Sequence, residues 1–110
     1  MDSREYIGKI VNVVIDRPIH SLHPKYGFEY LLNYGYIPNT ISGDGEPLDA
    51  YIIGEDNPVE KYTGKVIAVI KRLEEDDDKL IVTDGKDYTD EEILKFVNFQ
   101  EKWKKHVILR

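Results

Sequence analysis

The chain has no cysteine among its 110 residues, which excludes a disulfide framework, a thiolate metal site and a cysteine nucleophile. Histidine is nearly as scarce. The three that occur are scattered, an arrangement that argues against zinc, so any metal is expected to be held by oxygen. His20 and His23 stand three apart in HSLHP, without an evident third ligand, and are expected in a solvated turn. No GxSxG, P-loop or GxGxxG pattern is present, which leaves water as the nucleophile the sequence can support. No apolar run is long enough to span a bilayer, and MDSREYIGKIVNVVIDRP puts acidic and polar residues where a signal peptide needs cations. A soluble, cytoplasmic protein is expected. Neither a Pro/Gly/Ser-rich linker nor an internal repeat divides the chain, so residues 1–110 are read as a single domain with one core.

Net charge is −6 and the sequence pI is about 5.0. That balance disfavours nonspecific binding to nucleic acid or to anionic membranes and favours cations. Its distribution is uneven: Glu74, Glu75, Asp76, Asp77 and Asp78 form one acidic run, whereas Lys102, Trp103, Lys104, Lys105 and His106 form a basic segment. A site for a polyanion held through metal needs both signs; taken alone, such runs are commonly solvated loops and helix faces.

Short β-branched runs dominate the pattern. Residues 9–15 (KIVNVVI) read as a strand stopped by Asp16-Arg17-Pro18. Residues 26–37 are aromatic and predicted extended, bending at Tyr34-Gly35. Residues 48–53, 65–71 and 79–82 complete the strands, the last two as a hairpin around the acidic run. The one strong helix opens at the Thr89-Asp90-Glu91-Glu92 capping box, carries Ile93, Phe96, Val97 and Phe99 mostly on one face, and is predicted to reach about Lys104. Residues 106–109 (HVIL) return as a short strand. The expected class is mainly β with one C-terminal helix (α+β): a small β-barrel with the helix against it.

The chemistry concentrates in residues 33–51, NYGYIPNTISGDGEPLDAY. Asp44, Glu46 and Asp49 fall within six residues around a Gly and a Pro. Three carboxylates so close repel one another unless a hard cation neutralises them; the plain alternative is a turn chosen for its backbone preferences. Mg²⁺ suits the first reading, because it takes few carboxylates and completes its shell with water and phosphate oxygens. A second metal arm is expected from Glu74 and either Asp77 or Asp78 across a cleft, since paired metals stabilise attacking and leaving oxygens in phosphoryl transfer. Arg17, Lys79 and Lys104 are candidates for phosphate oxygens, and the phenol of Tyr34 or of Tyr36, which flank Gly35, is a candidate donor to an anion.

The same stretch closely resembles the segment that defines family I soluble inorganic pyrophosphatases, where Tyr-Gly-Tyr/Phe-Ile precedes Asp-Gly-Asp-Pro-x-Asp. KVIAVIKRLEEDDDKLIV resembles that family's hairpin of metal-binding acids and phosphate-binding lysine. The resemblance implies a barrel of the oligonucleotide-binding (OB) type, Mg²⁺ dependence, hydrolysis of inorganic diphosphate and a homo-oligomer. It makes Tyr34 the active-site tyrosine, Asp44, Glu46 and Asp49 the signature acids, Glu74 and Asp77 the hairpin acids, and Lys79 the lysine. Asp16-Arg17 resembles an Asp-Arg pair whose arginine holds phosphate, and NFQEKWK places Trp103 and Lys104 where the family has a Tyr-Lys pair. Glu46 stands where the family has an aspartate that helps activate water, and the family's N-terminal strands have no counterpart in this sequence.

The leading expectation is therefore Mg²⁺-dependent hydrolysis of diphosphate by a metal-activated water, with Glu46, Tyr34 and Arg17 as catalytic residues, Arg17, Tyr34, Lys79 and Lys104 on the substrate, and Asp44, Glu46, Asp49, Glu74 and Asp77 on metal. The alternatives are a noncatalytic phosphate- or diphosphate-binding module and a hydrolase of another phosphoanhydride such as a nucleotide. A single-strand nucleic-acid binder is a third, disfavoured by the acidic charge.

Overall fold

A computed structural model describes residues 3–43 and 45–110. Asp44 therefore lies outside the described residues. Six strands follow a 3₁₀ turn at Ser3–Tyr6: β1 Ile10–Arg17, β2 Asn33–Tyr36, β3 Asp49–Ile52, β4 Lys61–Arg72, β5 Asp78–Thr83 and β6 His106–Leu109. The helix α1, Asp90–Glu101, lies between β5 and β6 in the chain. Hydrogen bonding runs β1-β2-β3-β5-β4 and returns from β4 to β1, closing a five-stranded barrel. β6 adds to the outer part of β4, pairing Val69 with Leu109 and Arg72 with His106.

Closure depends on the length of β4, whose twelve residues serve three partners in turn. Residues 61–65 pair with β1, 65–71 with β5, and 69–72 with β6. Gly64 sits where the strand changes partner, and a Cβ there would stand 2.3 Å from the Thr83 carbonyl oxygen. Gly35 in β2 is held more tightly still: an added Cβ would lie 1.9 Å from the Val14 carbonyl oxygen. Only glycine lets β1 and β2 approach this closely.

Alternation along the strands builds two apolar layers. Val11, Val13, Ile15, Ala50, Ile52, Leu80 and Val82 fill one cluster with Val66 and Val69. Their neighbours Tyr51, Ile53 and Ile81 face the other way, with Ile70, and pack under Ile93 and Val97 of α1. Asn33, fully buried, ties loops to this frame: its Oδ1 accepts from Ile19 N at 3.0 Å and its Nδ2 donates to the Asn57 carbonyl at 2.9 Å.

The predicted strand runs, the hairpin and the final strand are all present, with two differences. The helix begins as expected, Thr89 Oγ1 accepting from Glu92 N and Glu92 Oε1 from Thr89 N, but ends at Glu101 rather than near Lys104. Its buried face is Ile93, Val97 and Glu101; Phe96 is 41% exposed. The buried carboxylate of Glu101 anchors the last turn to the barrel, and Lys102 follows as the C-cap, its N–H donating to the Asn98 carbonyl at 3.1 Å. The aromatic segment is also not continuously extended: only residues 33–36 form strand, while Leu22 and Glu29 bridge to make a separate small loop.

Candidate functional site

A β-bulge sets the position of the site. In β1, Ile15 pairs with Gly35 and Arg17 pairs with Tyr34, which leaves Asp16 as an extra residue. An uninterrupted strand would send Asp16 and Arg17 to opposite faces. With the bulge, both line a cleft of about 870 Å³ together with Tyr34, Asp49, Arg72, Lys79 and Lys104.

At the centre of the ion pairs is Lys79, whose side chain is 3% exposed. Its Nζ lies 2.6 Å from Asp49 Oδ2 and 2.8 Å from Asp77 Oδ1, and 5.6 Å from the centre of the Tyr34 ring. A buried ammonium needs partners of this kind, because desolvation without them would cost several kcal/mol. The second oxygen of Asp77 accepts from Arg72 Nη1 at 3.0 Å. Arg72 in turn forms a fork on Glu101, with Nε 2.9 Å from Oε1 and Nη2 2.7 Å from Oε2. Tyr51 donates to Glu101 Oε2 at 2.6 Å, Gln100 Nε2 donates to Tyr51 Oη at 2.6 Å, and Tyr30 donates to Gln100 Oε1 at 2.6 Å. The network runs unbroken from the helix end to the cleft.

These surroundings set protonation states. Burial would raise the Glu101 carboxyl, but the hydrogen bonds from Arg72 and Tyr51 outweigh it and hold the group below its ordinary value. Tyr34 is pushed well above the usual phenol range, first by burial and then by the charge of Asp49, to which its hydroxyl is hydrogen-bonded. It stays protonated at neutral pH and can donate. Asp16 is raised, chiefly by burial, with the charge of Asp49 adding to the effect. Arg17 Nε is buried and has no hydrogen-bond partner, a deficit of about 1–3 kcal/mol that an anion in the cleft would relieve.

The structure thus brings Arg17, Tyr34, Asp49, Lys79 and Lys104 of the expected set to one cleft. Asp77 stands behind Lys79, bound to it and to Arg72. Glu46 is exposed in the turn, where its carbonyl accepts from Ser42 N at 2.7 Å, and it does not line the cleft. Glu74 is exposed and lies 3.5 Å from Lys105, also away from the cleft. Lys104 is paired with Glu75, which raises the lysine and lowers the glutamate. Among the described residues no three acids or histidines come close enough to share one ion. What the cleft does offer a cation is Asp16 beside Asp49, two carboxylates whose mutual repulsion is felt at Asp16. One or two carboxylates are what Mg²⁺ commonly takes from protein when phosphate supplies the rest, so this donor set fits such an ion.

Sequence reading did not select Asp16 or Arg72 for the cleft. Asp16 is aimed there by the bulge, for which the only sequence signal is the Asp-Arg-Pro strand end. Arg72 was signalled by an arginine ending an apolar strand beside five acids. His20 is exposed and lies 2.8 Å from Glu29. His23, expected in solvent, is half-buried among rings; its Nδ1 accepts from Lys25 N and Tyr26 N at 3.1 Å each.

The family model described as inorganic pyrophosphatase matches residues 5–108. An inorganic pyrophosphatase of Rickettsia bellii is 30% identical over 89% of this chain and 69% of its own length. One from Halobacterium salinarum is 32% identical over 89% of this chain and 56% of its own length. Among solved structures, the inorganic pyrophosphatase of Ehrlichia chaffeensis superposes with a TM-score of 0.70 at 19% identity, covering 91% of this chain and 84% of that one. That of Thermus thermophilus gives 0.63 at 19% identity, covering 100% and 84%. These structural likenesses carry the fold.

Proposed function

The chain belongs to the inorganic pyrophosphatase family, and from that premise we propose that it hydrolyses inorganic diphosphate to two phosphates in the cleft between β1, β2, β3 and β5. The observation that carries this reading is the convergence of Arg17, Tyr34, Lys79 and Lys104 on one cavity beside Asp16 and Asp49. Diphosphate is a compact polyanion, and the cleft offers cations and a phenol donor to its oxygens with carboxylates at their side.

Arg17 presents a planar fork whose Nε lacks a partner, suited to two oxygens of one phosphoryl group. Lys79 is fixed between Asp49 and Asp77, so its charge is in place before substrate arrives and needs little reorganisation as charge moves to the leaving phosphate. Tyr34 donates to a phosphate oxygen in exchange for its bond to Asp49. Lys104 leaves Glu75 to meet the end of the substrate nearest the helix. Asp49 and Asp16 are the carboxylates that would hold Mg²⁺, which when bound supplies charge neutralisation and a more acidic water. Glu46 lies three residues before β3 begins at Asp49, and the orientation of water by Glu46 rests on the family resemblance.

The test is release of phosphate from inorganic diphosphate by purified protein with and without millimolar Mg²⁺, beside Lys79→Met and Glu46→Asp. Metal-dependent release that collapses in Lys79→Met is expected. Binding of diphosphate without release would make the protein a noncatalytic binding module, and a faster Glu46→Asp variant would tie water positioning to that side chain.

A further inference from the structure

The cleft that gathers Arg17, Lys79 and Lys104 is also lined by Tyr26, His23, Phe28 and Trp103. These rings form one continuous surface: His23 lies 5.0 Å from Tyr26 and 4.9 Å from Phe28, and Phe28 lies 5.2 Å from Trp103. The surface is left open, Tyr26 being 69% and Trp103 59% exposed. It is also fixed. Tyr26 sits at the tip of a loop held by the Leu22–Glu29 bridge, by His23 N donating to Phe28 O at 2.8 Å, and by the His23 ring accepting from the Tyr26 amide.

A bare diphosphate ion has no use for such a surface. It has no apolar face, and it would fill a small part of 870 Å³, a volume in the range of sites for ligands with rings. We propose that the cleft takes a nucleoside diphosphate, its base stacked on Trp103 and Tyr26 and its diphosphate on Arg17, Lys79 and Lys104. The inference rests on the reading of those cations as a phosphoanhydride site. Trp103 directly precedes Lys104 in the chain, and Tyr26 is close enough to influence the Lys104 charge, so the ring surface begins where the cationic one ends. The groups now over the rings are Lys102, 4.6 Å from Trp103, and Lys25, 5.2 Å from Tyr26. Exposed cation–ring contacts are weaker than base stacking and would yield to it. In the reaction a water oxygen bonds to the terminal phosphorus and the bond from that phosphorus to the bridging oxygen breaks. The products are nucleoside monophosphate, inorganic phosphate and one proton.

Trp103 is the sole tryptophan, so its emission reports this surface directly. The experiment titrates the full chain with ADP and separately with inorganic diphosphate, following tryptophan emission and phosphate release in millimolar Mg²⁺. Expected are saturable quenching by ADP beyond any produced by diphosphate, phosphate release from ADP, and a KM for ADP raised roughly tenfold in both Trp103→Ala and Tyr26→Ala with a much smaller change in kcat. The exposed Tyr26 position keeps the test usable if Trp103→Ala folds poorly. Quenching no greater than that by diphosphate, or no release from ADP, overturns the inference. Hydrolysis of inorganic diphosphate alone leaves the diphosphatase reading standing without it, whereas hydrolysis of ADP alone removes that reading and keeps this one.

Discussion

Asp49 and Lys79 stand directly opposite each other in the parallel pairing of β3 with β5, and the Lys79 ammonium lies 2.6 Å from the Asp49 carboxylate. Register alone brings them together: the same alignment that pairs Ala50 with Leu80 in the barrel interior puts Asp49 beside Lys79 at the cleft. The site and the core are therefore fixed by one set of ladder bonds.

Lys79→Met should lower kcat/KM for diphosphate by about 10²–10³, the scale of losing one preorganised charge at a developing anion. The side chain also separates Asp49 from Asp77, so its loss leaves two buried or half-buried acids facing each other. A lower urea midpoint should accompany the kinetic loss. Steady-state kinetics together with urea unfolding of the same preparation decide the point, and unchanged kcat/KM would remove Lys79 from the substrate.

Asp49→Asn keeps the shape and removes the charge. It should abolish Mg²⁺-dependent activity while the fold survives, because the asparagine oxygen can still accept from Lys79 and the pairing with Tyr36 and Lys79 is made by backbone. Isothermal titration with Mg²⁺ and far-UV circular dichroism are the checks; full activity in a folded variant would take Asp49 out of metal binding.

The readable parts of this molecule were the local ones. The strand runs of β1, β4 and β5, the capping box at Thr89 and the turn before Asp49 all announce themselves within a few residues, because propensity and capping act over that range. Partnership between distant segments does not. Nothing near Lys61–Lys65 says that it pairs with β1, and nothing near Glu101 says that its carboxylate will be buried against Arg72, 29 residues away. Because Glu101 looks like a surface residue in an amphipathic helix, the helix end was placed too late and Arg72 was left out of the cleft. Asp16 was missed for a related reason: its direction follows from a bulge against Gly35 and Tyr34, which is a property of the pair of strands.

Glu101→Ala should destabilise the protein by about 3–5 kcal/mol, since it breaks the buried fork on Arg72, whose side chain is 11% exposed, and leaves that guanidinium only Asp77 and Glu75. Replacing both members with apolar residues, Arg72→Met with Glu101→Leu, should cost less than the single change, because no unpaired charge is left behind. Chemical denaturation of the three proteins measures this, and a double variant weaker than Glu101→Ala would show that the pair stabilises beyond mutual neutralisation.

Gly35→Ala should fail in a different way, through geometry alone. The added methyl would meet the Val14 carbonyl oxygen at 1.9 Å and the Ile15 Cα at 2.8 Å, both backbone atoms that cannot rotate aside. Parting β1 from β2 to relieve the clash would open the barrel beside the bulge that aims Arg17. A loss above about 3 kcal/mol is expected, at or beyond the usual cost of overpacking, and a thermal melt close to that of the unmodified protein would contradict the close approach.

The pH dependence of stability follows from Glu101 with a definite sign. Its carboxyl is held below the ordinary glutamate value near 4.5, so the unfolded chain binds a proton more readily than the folded one. The stabilisation is then complete above about that value and is lost as pH falls through the depressed folded value. Glu101→Gln removes the titration while keeping a hydrogen-bonding side chain, and should be less stable than the unmodified protein at neutral pH but flatter as pH falls below about 4.5. Urea midpoints collected across that fall separate the two slopes. Parallel curves for the two proteins would mean that the acid sensitivity comes from other carboxylates and that the Arg72 fork does not hold the Glu101 proton off.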